Sequence, residues 1–167
     1  MEKLRLGIVG LGWVSQVFHI PLLSKFEDVE IVAVCDKDKS RAKMIAERFG
    51  FSRYYSDYQQ MLAKEDLGAI DVCTSTDAHL PITLAALQAG KDVFVEKPIA
   101  RHYSEALQMA EAAKQAKRKL MVGMNNRFRP DTMILKSFID TVEELAKIEG
   151  VLPGEGLLED DFSPSTG

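Results

Sequence analysis

Near its N-terminus the sequence reads Leu-Arg-Leu-Gly-Ile-Val-Gly-Leu-Gly-Trp-Val-Ser over residues 4–15. Leu4 to Val9 is a short apolar run that predicts a buried strand, and the residues after Gly12 predict a helix that bends or stops near Pro21. Glycines stand at the turn between the two elements. A backbone without side chains can turn tightly there and approach a phosphate group at the helix N-terminus. This segment therefore predicts a strand, a tight turn and a helix.

The rest of the chain repeats this alternation of strand and helix. Apolar runs that predict further strands end at polar or glycine-rich segments, and amphipathic helices follow them; the runs are Glu30–Cys35, Ala69–Cys73, Asp92–Val95 and Leu120–Met124. Continuous apolar strands joined by helices form a parallel sheet that is covered on both faces. The predicted fold class is therefore α/β: a doubly wound, mostly parallel sheet in three α/β/α layers.

Several local predictions follow from side-chain spacing. Ser56 and Gln59 have the spacing of a capping box and predict the start of a short helix. A helix from Tyr103 to about Lys117 is expected to face inward through Leu107, Ala110 and Ala113. We expect residues 1–130 to form one domain, 131–150 a C-terminal helix with Ile134, Phe138, Val142, Leu145 and Ile148 on one apolar stripe, and 151–167 an irregular tail.

An acidic residue ends the second strand. Asp36 lies about 20 residues beyond the glycine turn, where the dinucleotide-binding fingerprint of Rossmann folds has a carboxylate that binds the adenosine ribose. Ser15 stands where that fingerprint has its third glycine. Together these residues predict a site for NAD, because a carboxylate would repel the extra phosphate of NADP. Lys37 and Arg41 could instead reach that phosphate, and a turn without any cofactor is the alternative for Gly10 and Gly12.

Composition excludes several other classes of protein. The chain has 167 residues and a formal net charge of -4, with no basic block of the kind that binds nucleic acid. No apolar run approaches the length of a membrane span, and no signal peptide is evident. Cys35 and Cys73 predict small buried apolar residues, and no spacing predicts a metal site. We expect a cytoplasmic protein without nucleic-acid or membrane partners.

Residues 93–98 read Val-Phe-Val-Glu-Lys-Pro, which places charged groups at the carboxyl end of a buried strand, the edge where open α/β sheets bind ligands. Here the chain resembles the glucose-fructose oxidoreductase/inositol dehydrogenase (Gfo/Idh/MocA) family over about residues 3 to 130. The resemblance rests on the glycine turn, Asp36, residues 74–79, residues 89–93, Glu96-Lys97-Pro98 and Asn125-Asn126-Arg127-Phe128. These signatures are specific in combination, whereas each alone would not be.

The resemblance implies roles for several residues. Lys97 would be the catalytic lysine beside the nicotinamide, Glu96 would contact the nicotinamide ribose, and Arg127 would lie near the cofactor. Ser75 and Thr76 depart from the family's usual proline and asparagine. The full set of expected cofactor-binding residues is Gly10, Gly12, Trp13, Val14, Asp36, Lys37, Arg41, Thr74, Ser75, Thr76, His79, Glu96, Lys97 and Arg127. His79 is as readily a structural group as a proton shuttle, and His19 and His102 are expected to be ordinary surface or helix-end residues.

The family's substrate domain does not appear in this sequence. Residues 151–156 lack the alternation that a sheet would show. The resemblance implies an oxidoreductase that acts on a sugar, cyclitol or related polyol, but the sequence leaves open whether this chain is active by itself. The alternative is a non-catalytic nucleotide-binding or interaction module. A homodimer is possible in either case and would need a surface other than the family's sheet domain.

Overall fold

The computed structural model describes residues 3–148, with side chains described through Thr141. Six strands form one sheet in which every pair of neighbours is parallel. The strands are β1 (Leu4–Val9), β2 (Val29–Cys35), β3 (Tyr54–Tyr55), β4 (Ala69–Val72), β5 (Asp92–Val95) and β6 (Leu120–Val122). Their spatial order is β3-β2-β1-β4-β5-β6. The predicted doubly wound α/β fold is confirmed.

Helices follow the strands as the alternation predicts. A π-helical turn, Ser15–His19, leads into the short helix α1; the helices are α1 (Ile20–Leu23), α2 (Lys39–Phe49), α3 (Tyr58–Lys64), α4 (His79–Gln88), α5 (Tyr103–Ala116) and α6 (Pro130–Ile148). Two separate apolar cores pack against the sheet. One packs β1 and β2 against α1 and α2, and the other packs side chains from β1, β2, β4 and β5 against α3, α4 and α5. The sheet is therefore the middle of three layers.

The strand order reverses at β1. The chain moves from β1 through β2 to β3 in one direction and returns to place β4 on the opposite side of β1. Helices after β1 and after β4 consequently lie on opposite faces, which opens a crevice at the carboxyl ends of these two strands. This topology places the end of β1 beside the ends of β2 and β4.

Local sequence signals explain the boundaries of α2. The Asp38 carboxylate accepts hydrogen bonds from the backbone N–H groups of Ser40 and Arg41, so it caps the N-terminus of the helix. Gly50 ends the helix with φ of 80°, a left-handed conformation that glycine adopts without steric cost. The helix therefore begins three residues after Asp36, which fixes the geometry of the segment that follows β2.

Two local predictions were wrong. α3 is capped by Asp57 rather than Ser56, with the Asp57 carboxylate accepting from the N–H of Gln59. In α5 the buried side chains are Met109 and Ala113, whereas Leu107 and Ala110 are exposed. Each step of three residues turns the helix about 60° short of a full turn, so Leu107 lies about 120° from Ala113 around the axis.

The chain divides into two units after Gly123. The second unit begins at Met124 and contains a 3₁₀ turn, Asn125–Phe128, followed by α6. The predicted stripe residues Val142, Leu145 and Ile148 have side chains outside the described set, as does the predicted tail at 151–167. Among the described helices, none has the combination of length and apolar character that crossing a bilayer requires.

Candidate cofactor site

A cleft of about 410 Å³ opens at the carboxyl ends of β1, β2 and β4. Its size is in the range of pockets that bind small molecules and cofactors. Seven of the residues expected to bind the cofactor line it: Gly10, Gly12, Asp36, Lys37, Arg41, Thr74 and Ser75. Ser56 and Tyr58, which follow β3, also line the cleft, although the sequence did not single them out as site residues. The fold thus gathers groups from four separate segments at one place.

The two glycines of the turn serve different purposes. Gly10 has φ of 93°, and a Cβ added there would lie 2.6 Å from the backbone of Cys73, so the packing of β1 against β4 excludes a side chain. A Cβ added at Gly12 would meet nothing within 4 Å, although Gly12 lines the cleft. The packing of the described chain therefore does not require glycine at position 12. Close approach of a ligand explains it, which favours the cofactor interpretation over a turn without one.

Asp36 braces the turn and faces the cleft. Its Oδ2 accepts a hydrogen bond of 2.9 Å from the N–H of Leu11, and its Oδ1 accepts one of 2.9 Å from the N–H of Asp38. Arg41 approaches the same carboxylate, with its guanidinium 3.3 Å from Oδ2. A carboxylate has about four acceptor positions, and the two backbone N–H groups take one on each oxygen, so ribose hydroxyls would share the remaining positions with Arg41. The side chain is almost fully buried, which keeps it in one orientation.

The helical segment after the turn begins close to the cleft. Ser15 is fully buried and donates a hydrogen bond of 2.9 Å from its hydroxyl to the carbonyl of Gly12, so a small residue replaces the usual third glycine without opening the packing. Trp13 and Val14 have exposed side chains that do not line the cleft. The role expected for Trp13 and Val14 rests on their backbone, because the first N–H groups of a helix lack intrahelical acceptors.

The segment from Thr74 to His79 leaves the end of β4. Thr76 lies in a 3₁₀ turn, Thr76–Ala78, and is not among the residues that line the cleft. His79 is 1% exposed, and its ring nitrogens lie 3.0 Å from the carbonyl oxygen of Pro98 and 3.2 Å from that of Thr74. Of the roles left open for His79, these contacts support the structural one: it ties the β4 loop to the β5 loop.

Glu96 and Lys97 directly follow β5, beside β4 and at the same edge as the cleft. The Glu96 Oε2 accepts a hydrogen bond of 3.0 Å from the N–H of Lys97, and the Lys97–Pro98 peptide bond is cis. The Lys97 side chain is exposed. Neighbouring strands lie about 4.8 Å apart, so the lysine loop stands one strand away from the loop of Thr74. Arg127 lies in the second unit, within the turn Asn125–Phe128.

His19 is not the ordinary surface residue that the sequence predicted. Its Nδ1 lies 2.8 Å from Asp71 Oδ2, and its Nε2 lies 3.0 Å from Glu96 Oε1. Burial lowers the pKa of His19, but the hydrogen bonds and charges of the two carboxylates outweigh it and hold the pKa above its ordinary value. The sequence contained one signal for a buried partner such as His19. Asp71 lies inside the apolar strand β4, and a buried carboxylate needs a cationic or hydrogen-bonding partner.

The two cysteines differ in their surroundings. Cys35 is buried, and this burial, with the nearby charges of Asp36 and Asp57, raises its pKa to about 12. Burial and the adjacent Asp71 also raise the pKa of Cys73, whose sulfur lies 3.3 Å from the Nδ1 of His19. Both thiols therefore stay protonated at neutral pH.

The donor atoms of His19, Asp71 and Cys73 lie within 4.8 Å of one another, a spacing that could hold a metal ion. Both imidazole nitrogens already face carboxylates, which favours a hydrogen-bond network over a metal site.

A parallel sheet of this order, with a glycine turn after β1 and a carboxylate after β2, defines a dinucleotide-binding domain. The sequence matches the model of the oxidoreductase family with an NAD-binding Rossmann fold over residues 4–124. The chain therefore belongs to the Gfo/Idh/MocA family. The predicted NAD-binding domain is confirmed.

Curated relatives and solved structures agree with this assignment. The chain is 35% identical to D-glucoside 3-dehydrogenase of Escherichia coli over 135 residues, which cover 81% of this chain and 38% of the relative. It is 32% identical to inositol 2-dehydrogenase of Salmonella typhimurium, covering 84% of this chain and 42% of that protein. The WlbA dehydrogenase of Bordetella pertussis, solved with NADH and UDP-GlcNAcA, matches with a TM-score of 0.79 and 28% identity, over 84% of this chain and 42% of the other. The chain thus spans about two fifths of the length of these relatives.

Proposed function

We propose that this chain is the cofactor-binding part of a dehydrogenase that transfers hydride between NAD and a sugar, cyclitol or related polyol. The observation that carries the proposal is the position of Lys97, which follows β5 at the same sheet edge as the cleft lined by Gly12 and Asp36. Relatives named as glucoside and inositol dehydrogenases support this class of substrate. They also favour a dehydrogenase over a non-catalytic module.

Each part of the cleft has a task in this proposal. The backbone at Gly10, Gly12, Trp13 and Val14 binds the pyrophosphate, because open N–H groups at a helix N-terminus favour anions. Asp36 accepts hydrogen bonds from the adenosine ribose, and the hydroxyls of Thr74 and Ser75, which line the cleft, serve the phosphate or ribose. The position of Asp36 favours NAD over NADP, while Lys37 and Arg41 leave some affinity for NADP.

The reacting end lies towards β5. NAD supplies the hydride acceptor. Glu96 contacts the nicotinamide ribose. The Lys97 ammonium donates a hydrogen bond to the oxygen of the reacting carbon, which stabilises the negative charge that develops there. Oxidation of the hydroxyl releases a proton, which Lys97 accepts as a neutral amine and so becomes the ammonium that donates this hydrogen bond.

Cofactor binding does not require the whole length of the relatives. We expect this chain alone to bind NAD with a Kd in the micromolar-to-millimolar range and to oxidise polyols little or not at all, because hydride transfer needs a substrate held against the nicotinamide. A homodimer and a cytoplasmic location stay predictions from the sequence.

Thermal unfolding in the presence of NADH, NAD and NADPH tests the binding. A ligand that binds only the folded chain raises the midpoint as its concentration increases, and 100-fold excess over Kd stabilises by about 2.7 kcal/mol. NADH is expected to give the larger shift and NADPH the smaller. The proposal fails if neither reduced cofactor shifts the midpoint at millimolar concentration.

The variant Lys97→Ala separates binding from chemistry. Because Lys97 acts on the reacting oxygen, the variant should bind NADH with an affinity close to that of the original chain. Any turnover that a panel of polyols supports, measured by nicotinamide absorbance, should fall by about 100-fold or more. Measurable turnover that is equal in the variant and the original chain would contradict the role of Lys97.

A further inference from the structure

His19 joins two carboxylates that are distant in sequence. Asp71 lies 52 residues after it and Glu96 lies 77 residues after it, yet each faces a different nitrogen of the same ring. A neutral imidazole carries one N–H and can donate to only one of these carboxylates, whereas imidazolium donates to both. The geometry therefore matches the charged form of His19.

The surroundings of the ring support the charged form. The Asp71 side chain is 2% exposed and that of Glu96 13% exposed. Among the described side chains, the ion pairs of both carboxylates are made with His19. The other groups that face the ring are the Cys73 sulfur, 3.3 Å from Nδ1, and the Phe94 ring, 5.9 Å away between centroids. Buried carboxylates are costly unless they are paired, so one imidazolium compensates for two of them.

The network reaches the catalytic segment through Glu96. The imidazolium holds one oxygen of the Glu96 carboxylate, and the N–H of Lys97 holds the other. A carboxylate bound at both oxygens is fixed in position and orientation. Because His19 lies in the π-helical turn that follows the glycine turn, the network also connects the phosphate side of the site to the nicotinamide side.

We propose that His19 is a positioning residue, which in its imidazolium form holds the Glu96 carboxylate against the start of the Lys97 loop and so makes nicotinamide binding depend on pH. The inference rests on the proposed function, since it assigns Glu96 to the nicotinamide ribose. When His19 loses its proton, its one N–H stays with Asp71, the more buried carboxylate at the shorter distance of 2.8 Å, and the Glu96 carboxylate is released. Binding of the nicotinamide half then weakens, while binding of the adenosine half does not change.

The first test measures Kd across a pH series for two probes, NADH and the β-methyl ester of ADP, which lacks both the nicotinamide and its ribose. Between about pH 6 and about pH 9 the Kd for NADH is expected to rise about tenfold, the effect of one lost charge-assisted hydrogen bond. The Kd for the ADP ester is expected to stay constant. A parallel rise for both probes would overturn the inference, because His19 would then act on the whole domain. Absence of binding for both would instead remove the proposed function.

Variants supply the second test. His19→Gln and Glu96→Gln should each abolish the pH dependence of NADH binding, while His102→Gln, a change at an exposed histidine, should leave it intact. NMR of the imidazole nitrogens gives a third test, and its first part uses the original chain.

In the original chain, both nitrogens of His19 should carry protons at neutral pH. In the variant Glu96→Gln, the titration midpoint of His19 should fall. A neutral His19 at pH 7 would overturn the inference even if His19→Gln fails to fold.

Discussion

At the scale of single residues, Gly10 and Gly12 show how one residue type can meet two demands. At Gly10 the demand is internal, because β4 passes so close that a Cβ would lie 2.6 Å from the Cys73 backbone. At Gly12 the space beside the Cα belongs to the cleft. Substitution at these two positions should therefore separate stability from binding.

Gly10→Ala should reduce the free energy of unfolding by about 2–4 kcal/mol, from left-handed strain and overpacking. Gly12→Ala should change it by less than about 1 kcal/mol, yet it should weaken NADH binding by about tenfold, since the added methyl occupies the ligand's space. Urea denaturation and NADH fluorescence titration measure the two effects. Unchanged NADH affinity in a stable Gly12→Ala chain would refute the ligand explanation for Gly12.

Asp36 and Arg41 together should set the preference between the two cofactors. Asp36→Ala removes the negative charge that repels the 2′-phosphate and releases the Arg41 guanidinium, which lies 3.3 Å from that carboxylate. The ratio of Kd values should shift towards NADPH by about tenfold or more. In the double variant Asp36→Ala, Arg41→Ala the gain for NADPH should shrink. An unchanged ratio in the single variant would show that Asp36 does not bind the ribose.

At the scale of elements, the edge strand β3 is held to the domain by more than its backbone. It has only two residues, Tyr54–Tyr55, and pairs with β2 alone. Glu65, directly after α3, accepts hydrogen bonds from the Tyr55 hydroxyl and the Arg53 guanidinium. This network fixes the segment that carries Ser56 and Tyr58 into the cleft.

Glu65→Gln should lower the free energy of unfolding by about 1–3 kcal/mol. The buried carboxylate accepts hydrogen bonds from Tyr55 and Arg53, and the substitution replaces it with an uncharged amide. Burial raises the pKa of Glu65, but the bonds from Tyr55 and Arg53 outweigh it and hold the pKa below its usual range. A carboxylate with a lower pKa in the folded chain than in the unfolded chain stabilises the fold at pH values above its unfolded pKa. This stabilisation is lost as the pH falls through its folded pKa. The difference between the original chain and Glu65→Gln should therefore disappear in acid.

Urea denaturation at neutral and acid pH measures the contribution of Glu65. Glu47→Gln is the matched control, because Glu47 forms an exposed pair with Lys43 on one helix face. Such pairs contribute about 0–1 kcal/mol. Equal destabilisation by the two substitutions would contradict a special role for Glu65.

At the scale of the whole molecule, both apolar cores belong to the first unit. The buried members of the two cores come from β1, β2, β4 and β5, from α1 to α5 and from the segments that join them, and β6 packs against one core through Leu120 and Val122. A chain that ends at Gly123 should therefore keep one cooperative unfolding transition, observed by circular dichroism in urea. Its NADH affinity should stay within about tenfold of the original, because the residues that line the cleft all precede Gly123. Loss of the cooperative transition would show that the first unit depends on the second.

The sequence by itself determined the class of fold and the kind of ligand. Strand and helix periodicity are local properties, and the continuous apolar runs ending at Val9, Cys35 and Val95 indicated parallel strands buried on both faces. The glycine turn, Asp36 and the Glu96-Lys97-Pro98 segment each lie at a strand end, so their sharing of one sheet edge followed from the parallel arrangement. The prediction of the inward face of α5 was wrong because residues spaced by three along a helix do not stay on one face. An α-helix has about 3.6 residues per turn, so such residues drift around its axis.

Only the tertiary structure decided which distant groups meet. His19, Asp71 and Glu96 come from three segments, and their contact depends on β4 lying next to both β1 and β5. The separate purposes of Gly10 and Gly12 likewise depend on how closely β4 approaches the turn. Such contacts are set by strand order and side-chain packing across the sheet, which no local pattern of residues specifies.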